Sequence, residues 1–546
     1  MDGYLIALIV LVAWFAILIL GHKLKFWEKI HCQLYGPFLM TKTKKGRDLI
    51  ERLARRKGFW TVYGKISVIV TIGSMVGLTA VLIWEATLVF NLPAGSAPSP
   101  EMMLGIPGLN PIIPLWYGIL GLVVAIIIHE FAHGILSRTA NIKVESLGLI
   151  FLVFPMGAFV EPNEEEIKKT TRQNRARLFA AGPGTNMLAA FICLMVFLFI
   201  FAPAVKPVSP GAIVNGVATG SPAEEFGISA WSEIISVNNV SIGGADDISN
   251  LSFVSPGEPV DLEILYNGEF SNIQLPGGVA IYSVTEGLPA DLAGIEEGMI
   301  VAELNDRSVH NYTEFVSIIT NSSHDSPVNI TVLRYGYDAT MGKNWFIEDD
   351  NITNISLISK WDYYERTDPG RNKEEYRNIS YMGVGSSAFG VSPVDSDIVS
   401  SVYNNALSGD LVVSSFRLIA MPFLGASPVE GAMANLYEPT GALAALPNDV
   451  FWILTNSIYW VFWINLMLGL TNALPAVPLD GGYVFRDLLK GLFERINSKR
   501  AKIAALKGKK PYTEAEVDQY ISFISLTLSF MVLFLIVWQL VGPRVV

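Results

Sequence analysis

The chain has 546 residues, 51% of them hydrophobic and only 16% charged, with a mean hydropathy of +0.40 and a formal net charge of −11. Composition this apolar and acidic argues against a soluble multidomain enzyme and against a nucleic-acid binder, and is expected of a membrane protein. Two cysteines, Cys32 and Cys193, leave no room for a disulfide framework or a cysteine-based zinc site.

Apolar runs of spanning length, about 20 residues, fall near 3–21, 66–90, 114–137, 178–203, 450–474 and 517–541, so six spans are expected. The first, GYLIALIVLVAWFAILIL, has no basic leader and no small-x-small cleavage site, and reads as a retained anchor. Segments 22–65, 138–178 and 486–510 hold 28 of the 39 Lys and Arg residues, which makes them cytoplasmic. Segment 204–449 carries 10 basic against 32 acidic residues. It also carries every N-x-S/T sequon, at Asn239, Asn250, Asn311, Asn321, Asn329, Asn351, Asn354 and Asn378, so an exported domain is expected, with both chain ends on the same outer side.

The third apolar run contains IIIHEFAHGIL. On a helix His129 and His133 are i and i+4, so both imidazoles leave one face and can hold a single tetrahedral cation, while Glu130 stands close enough to hold a water. Helix-packing polar residues are the bland alternative, but three ionisable groups at membrane depth cost roughly a few kcal/mol or more each unless they do something. The stretch VESLGLIFLVFPMGAFVEP at 144–162 is apolar yet broken by glycines and a proline, and too short to cross twice. In the following run, AAGPGTNMLAA spaces Gly182 and Asn186 as small-xxx-small, which lets this helix approach the histidine helix closely and offers Asn186 as a hydrogen-bond partner for a ligand.

Within 204–400, GSPAEEFGI from Gly220 returns as GLPADLAGI from Gly287, and ISVNN at 235 as AELND at 302, an offset of 67 throughout. The order of strand, short helix, Gly-Ile, strand, Asn-turn, strand and second helix resembles tandem PDZ domains, at roughly 211–276 and 277–390. The second copy holds an insertion, WFIEDDNITNISLISKWDYYERTDPGRNKEE. Such modules bind extended peptides at a sheet edge; plain steric bulk over the membrane is the other reading. Residues 399–448 read as skimming the membrane or packing beneath the pair. The run at 450–474 leads into TNALPAVPLDGGYVF, where Pro475 and Pro478 break the helix and Gly481 and Gly482 permit the turn that aims Asp480 back into the bundle.

HEFAH in one span, AAGPGTNMLAA in the next, the repeated exported domain and NALPAVPLDGG beyond it together resemble the site-2 protease family of intramembrane zinc metalloproteases, over residues from about 112 to 541. The resemblance implies Zn²⁺ on His129, His133 and Asp480, Glu130 as catalytic base, and Asn472 on the substrate backbone, with capping of the broken helix as the alternative role for Asn472. It also implies a membrane-inserted β-hairpin at 144–162, against a re-entrant helix, and a PDZ pair that admits membrane stubs already trimmed by another protease. The implied fold is a polytopic α-helical membrane protein with six transmembrane helices, a membrane-associated β-hairpin and two extracytoplasmic PDZ-like α/β domains. Its parts are two N-terminal helices with a basic loop (1–111), a first core part (112–203), two PDZ-like domains (204–276 and 277–398), a connector (399–449) and a second core part (450–546). The partners are transmembrane protein substrates and lipid. Rival functions are an inactive substrate-binding relative with a structural metal, a metal transporter, which would need more carboxylates in the spans than Glu85, and a prenyl-protein peptidase, whose third ligand is a glutamate from a different motif.

Overall fold

The structure, a computed structural model, describes residues 3–30, 32–91, 99–103, 105–323, 327–337, 345–367, 369–397, 411–424, 428–507 and 512–545. The chain divides into two compact units, one of Met1–Phe199, Leu418–Pro428 and Leu454–Val546, the other of Ile200–Arg417 and Val429–Ile453.

The first unit is built on helices: α1 (Gly3–Lys23), α2 (Arg47–Ala54), α3 (Lys57–Leu88), α4 (Leu115–Thr139), α5 (Arg172–Val196), α6 (Asn448–Asn472), α7 (Asp480–Lys507) and α8 (Glu514–Val545). Among the described residues, five helices are long and apolar enough to cross a membrane: α3, α4, α5 with its continuation to Ala204, α6 and α8. A helix is the form such sequences must take in lipid, because each backbone N–H then finds its carbonyl within its own segment. The first expected span is also helical, but its described apolar stretch, Ile9–Lys23, is shorter than the other five. That helix leans on the sheet described next: Trp14 Nε1 donates to the Pro37 carbonyl at 3.0 Å, and Leu18 packs with Cys32 and Leu39.

Residues 144–162 form a β-hairpin, β3 (Val144–Leu152) and β4 (Phe154–Pro162), which rules out the re-entrant helix. Two further strands from the N-terminal basic segment, β1 (Cys32–Tyr35) and β2 (Phe38–Thr43), complete an antiparallel sheet in the order β1-β2-β3-β4. Gly36, at φ 59°, makes the turn of that first hairpin. The β2 strand runs along β3 from Leu39 opposite Phe151 to Thr43 opposite Leu147, so the outer edge of β3 is covered by the chain itself. Ile50 and Ala54 of α2, Ala132 and Leu136 of α4, Val144 and Val160 of the hairpin and Ala181 of α5 share one buried cluster, which ties the sheet to the histidine helix.

The second unit carries the repeat. Strands Ala212–Val217 and Val279–Val284, short helices Pro222–Glu225 and Pro289–Leu292, and strands Glu233–Val237 and Ile300–Leu304 recur in the same order, each flanking a buried cluster of its own. The copies are interleaved at their ends: Val384–Ala388 pairs with Val279–Val284 of the second sheet, and the next strand, Val391–Asp395, returns to pair with Ala212–Val217 of the first. Part of the expected connector, residues 399–410 and 425–427, lies outside the described residues; farther along, Tyr437–Pro439 pairs with Val205–Pro207.

Candidate metal centre

Apolar helix α4 presents His129 and His133 one turn apart, with ring centroids 4.8 Å from each other and both side chains buried. Helix α6 stops at Asn472, whose amide donates back to the Leu468 carbonyl at 3.1 Å. Buried Pro475 and the cis Val477–Pro478 bond follow in a non-helical link. Asp480 is then the first residue of α7, so its carboxylate leaves a helix start and points into the bundle. Its Oδ2 lies 3.0 Å from His129 Nε2 and 3.1 Å from His133 Nε2, although 347 residues separate it from the second histidine.

The paired glycines work differently from the turn expected of them. Gly481 and Gly482 sit in the first turn of α7, and a Cβ on either would strike the backbone of the link, 2.1 Å from the Ala473 carbonyl oxygen and 2.6 Å from the Ala476 carbonyl carbon. Their missing side chains let the broken segment fold back over the helix start. Gly182 performs the same service on the opposite wall. A Cβ there would stand 2.4 Å from His129 Nε2 and 2.5 Å from His133 Nε2, so α5 can close the site only as glycine. Asn186, one turn along α5, is fully buried with neither amide atom partnered among the described residues.

The donor set fits a cation. His133 Nδ1 lies 2.8 Å from the Leu178 carbonyl, and since a carbonyl only accepts, that nitrogen carries the proton. In the neutral ring Nε2 is then an acceptor facing a carboxylate oxygen, and two acceptors at 3.1 Å stay together only around a shared proton or a positive ion. Ligands at zinc distances of about 2.0–2.1 Å in a tetrahedron lie about 3.3 Å apart, close to the 3.0 and 3.1 Å between Asp480 and the two histidines. Among the described residues, His129, His133 and Asp480 gather their donor atoms within 4.8 Å, and two imidazoles with one carboxylate leave a fourth position open, the pattern of catalytic rather than structural zinc.

Glu130 faces the sheet. Its Oε2 accepts the Val160 N–H of β4 at 3.0 Å, and the side chain lines a cavity of about 240 Å³ between α4 and the strands β2, β3 and β4. The roles of Val160 and Leu178 are backbone contacts and carry no side-chain signature in the sequence. The strands β1 and β2 left a faint one, short apolar runs on either side of Tyr35-Gly36-Pro37.

A candidate zinc metalloprotease of Vibrio cholerae is 21% identical over 441 residues, 69% of this chain and 90% of its own. Zinc metalloprotease Rip1 of Mycobacterium tuberculosis is 23% identical over 226 residues, 40% of this chain and 52% of that protein. An uncharacterized protein of Methanocaldococcus jannaschii is 28% identical over 243 residues, 44% of this chain and 62% of that one, so the similarity spans about half to three fifths of the last two relatives. The sequence profile described as peptidase family M50 matches residues 117–509, a stretch that takes in both histidines and Asp480. The chain belongs to peptidase family M50.

Proposed function

We propose that this M50 peptidase is an intramembrane zinc metalloprotease of the site-2 type, hydrolysing peptide bonds within transmembrane segments of other proteins. The observation that carries the reading is the meeting of His129, His133 and Asp480, brought from segments 347 residues apart onto one point of an otherwise apolar bundle. These three residues would hold zinc, which when bound supplies Lewis acidity to a substrate carbonyl and to a water. Glu130 takes the proton of the attacking water and passes it to the leaving amine. With Oε2 held by Val160 N–H, Oε1 is the oxygen left for that transfer. Asn472 contacts the substrate backbone, and the unwound substrate pairs with the β-sheet.

The repeats in the second unit are PDZ-like modules, a reading supported by the shared element order of the two copies, and by the family resemblance they gate or recruit substrates already trimmed by another protease. The charge distribution and the sequons support a multi-pass topology of six spans, with the basic segments cytoplasmic and the repeats and both ends outside.

The test is zinc content and cleavage of a model transmembrane substrate, measured together on the full chain. Glu130→Gln is expected to keep zinc and lose cleavage, and Asp480→Ala to lose both. Cleavage that survives Glu130→Gln would remove the proposed base and the function with it.

A further inference from the structure

A second cavity, of about 520 Å³, opens among the first turns of α5, the early part of α3 and α7, and its wall is basic. Lys65, Arg172 and Arg177 line it, with Asp487 as the acidic member. That carboxylate is already engaged, by Arg175 Nε at 3.2 Å and Nη2 at 2.5 Å, so it does not neutralise the other three. Arg172 shares its charge with Glu494 at 2.7 Å in a solvent-exposed pair, which is weak by nature. Lys65 and Arg177 have no acidic partner among the described residues; Arg177 reaches only Asn174 Oδ1, at 3.4 Å.

The cavity is built by the packing of its helices. Gly64 of α3 packs on the stem of Arg177, where a Cβ would lie 3.0 Å from Arg177 Cβ, and Arg177 lines the cavity. Gly491 of α7 lets Arg172 cross at a distance a Cβ would forbid. The cavity also lies at the N-terminal turn of α5, a helix of 25 residues whose first N–H groups and dipole favour an anion.

Its second property is a border with the apolar surface. Lys65 is the last cation before the uncharged stretch of α3 that runs from Ile66 to Trp84. Directly beyond it Val68 and Ile69 line the same cavity, and Ile69 is 71% exposed on the outer face of the helix. A soluble anion would use the cations and leave this apolar wall bare. A phosphate carrying acyl chains uses both.

We infer that the cavity at Lys65, Arg172 and Arg177 is a binding site for the phosphate of an anionic membrane phospholipid, with the lipid chain lying along Val68 and Ile69 of α3. Basic pockets between membrane helices recognise lipid phosphate in this way, at a worth of about fivefold in affinity per cation. The site is separate from the metal centre and does not depend on the proposed proteolysis.

Native mass spectrometry of the detergent-purified full chain tests it, with dioctanoyl phosphatidylglycerol, dioctanoyl phosphatidylcholine and inorganic phosphate as probes. Wild type is expected to retain the glycerol lipid and not the choline lipid. Lys65→Gln with Arg177→Gln should weaken retention on the order of 25-fold, while Lys23→Gln with Lys25→Gln, an equal loss of charge elsewhere, should leave it unchanged. If the pair fails to fold, Lys65→Gln alone carries the test, since it is an exposed side chain with no ion pair to break, and about a fivefold loss is expected. Undiminished retention in the folded variant, or an equal loss in the Lys23 and Lys25 control, overturns the site. Displacement of the lipid by millimolar inorganic phosphate that itself binds as tightly overturns the lipid as occupant.

Discussion

Replacing Gly182 with alanine adds one methyl group at the point where α5 meets both imidazoles. The new Cβ would lie 2.4 Å from His129 Nε2 and 2.5 Å from His133 Nε2, where about 3.5 Å is an ordinary contact. One group or the other must therefore move by about 1 Å. The rings cannot retreat easily: both are buried, and His133 is held by its Nδ1 on the Leu178 carbonyl at 2.8 Å. Overpacking of this kind costs roughly 1–3 kcal/mol of stability, which a bundle can survive. A metal site cannot absorb it, because ligand distances tolerate only about 0.2 Å, and lesser disturbances around a ligand already cost about 10–100-fold in affinity. We expect Gly182→Ala to fold and to bind zinc at least about 100-fold more weakly, read by metal content and by competition with a chelator of known affinity. Gly184→Ala is the companion: its Cβ would strike Ser67 of α3 at 2.6 Å, away from the imidazoles, so it should cost stability and keep the metal. Full zinc affinity in Gly182→Ala would show that the three side chains do not hold the ion in the observed geometry.

Three further outcomes are expected. Burial pushes the Glu233 carboxyl from its ordinary 4.5 up to about 7, with the Gly211 backbone pulling weakly the other way. The raised acid favours the fold while neutral, so that contribution is complete below about pH 4.5 and is lost as pH rises through 7, at most about 3 kcal/mol; in hydrogen exchange across Glu233–Val237, Glu233→Gln should abolish the pH dependence. Arg175→Met leaves Asp487 buried without its partner and should destabilise by about 3–5 kcal/mol, while adding Asp487→Leu should restore most of the loss in thermal melts. Thr41→Pro removes an N–H from a strand paired on both sides and should loosen β1 and β2, seen as faster exchange at 39–43 and 147–151, with zinc content unchanged.

The candidate metal centre was legible because its chemistry is written in short local patterns. Two histidines at helical spacing name their own face, and Asp480 stands among prolines and glycines that a plain span would not contain. The repeat was legible for the same reason, since SPAEEFGI and LPADLAGI announce one unit twice. What stayed hidden depends on partners far away in sequence. Residues 32–43 lie in a segment dense with Lys and Arg, where charge reads as a loop; only the ladder with β3, more than 100 residues on, makes FLMTKT a strand. The strand Val391–Asp395 likewise belongs to the first repeat through pairing with Ala212–Val217, and nothing in its own five residues says so. For Gly481 and Gly482 the sequence shows the residue type and not the reason for it. A turn and a close approach ask for the same residue, and the backbone of 473–476 decides between them.

Lipid offers helices no hydrophobic reward for associating, so packing at small residues and a few polar links must assemble the bundle. The contacts around the candidate metal centre follow that rule. Gly121 of α4 meets the Trp460 carbonyl and Ile464 of α6, Gly469 of α6 meets Asn186 of α5, and Gly182 of α5 meets the imidazoles. The Arg175–Asp487 pair links α5 to α7, only seven residues after Asp480. On the far side, Gly64 of α3 meets Arg177 and Leu136, and Gly184 of α5 meets Ser67. Helix α3 precedes the region matched by the M50 profile, yet it buries Ser67, Thr71 and Met75 and bears on α5 at two glycine contacts flanking Gly182 in sequence. The position of Gly182, and through it the room left for two histidines and an ion, is therefore fixed from both faces of α5. An added helix that only shielded the core from lipid would have no need of Gly64 or of a serine fitted to Gly184. Its packing makes α3 part of the frame that holds the site.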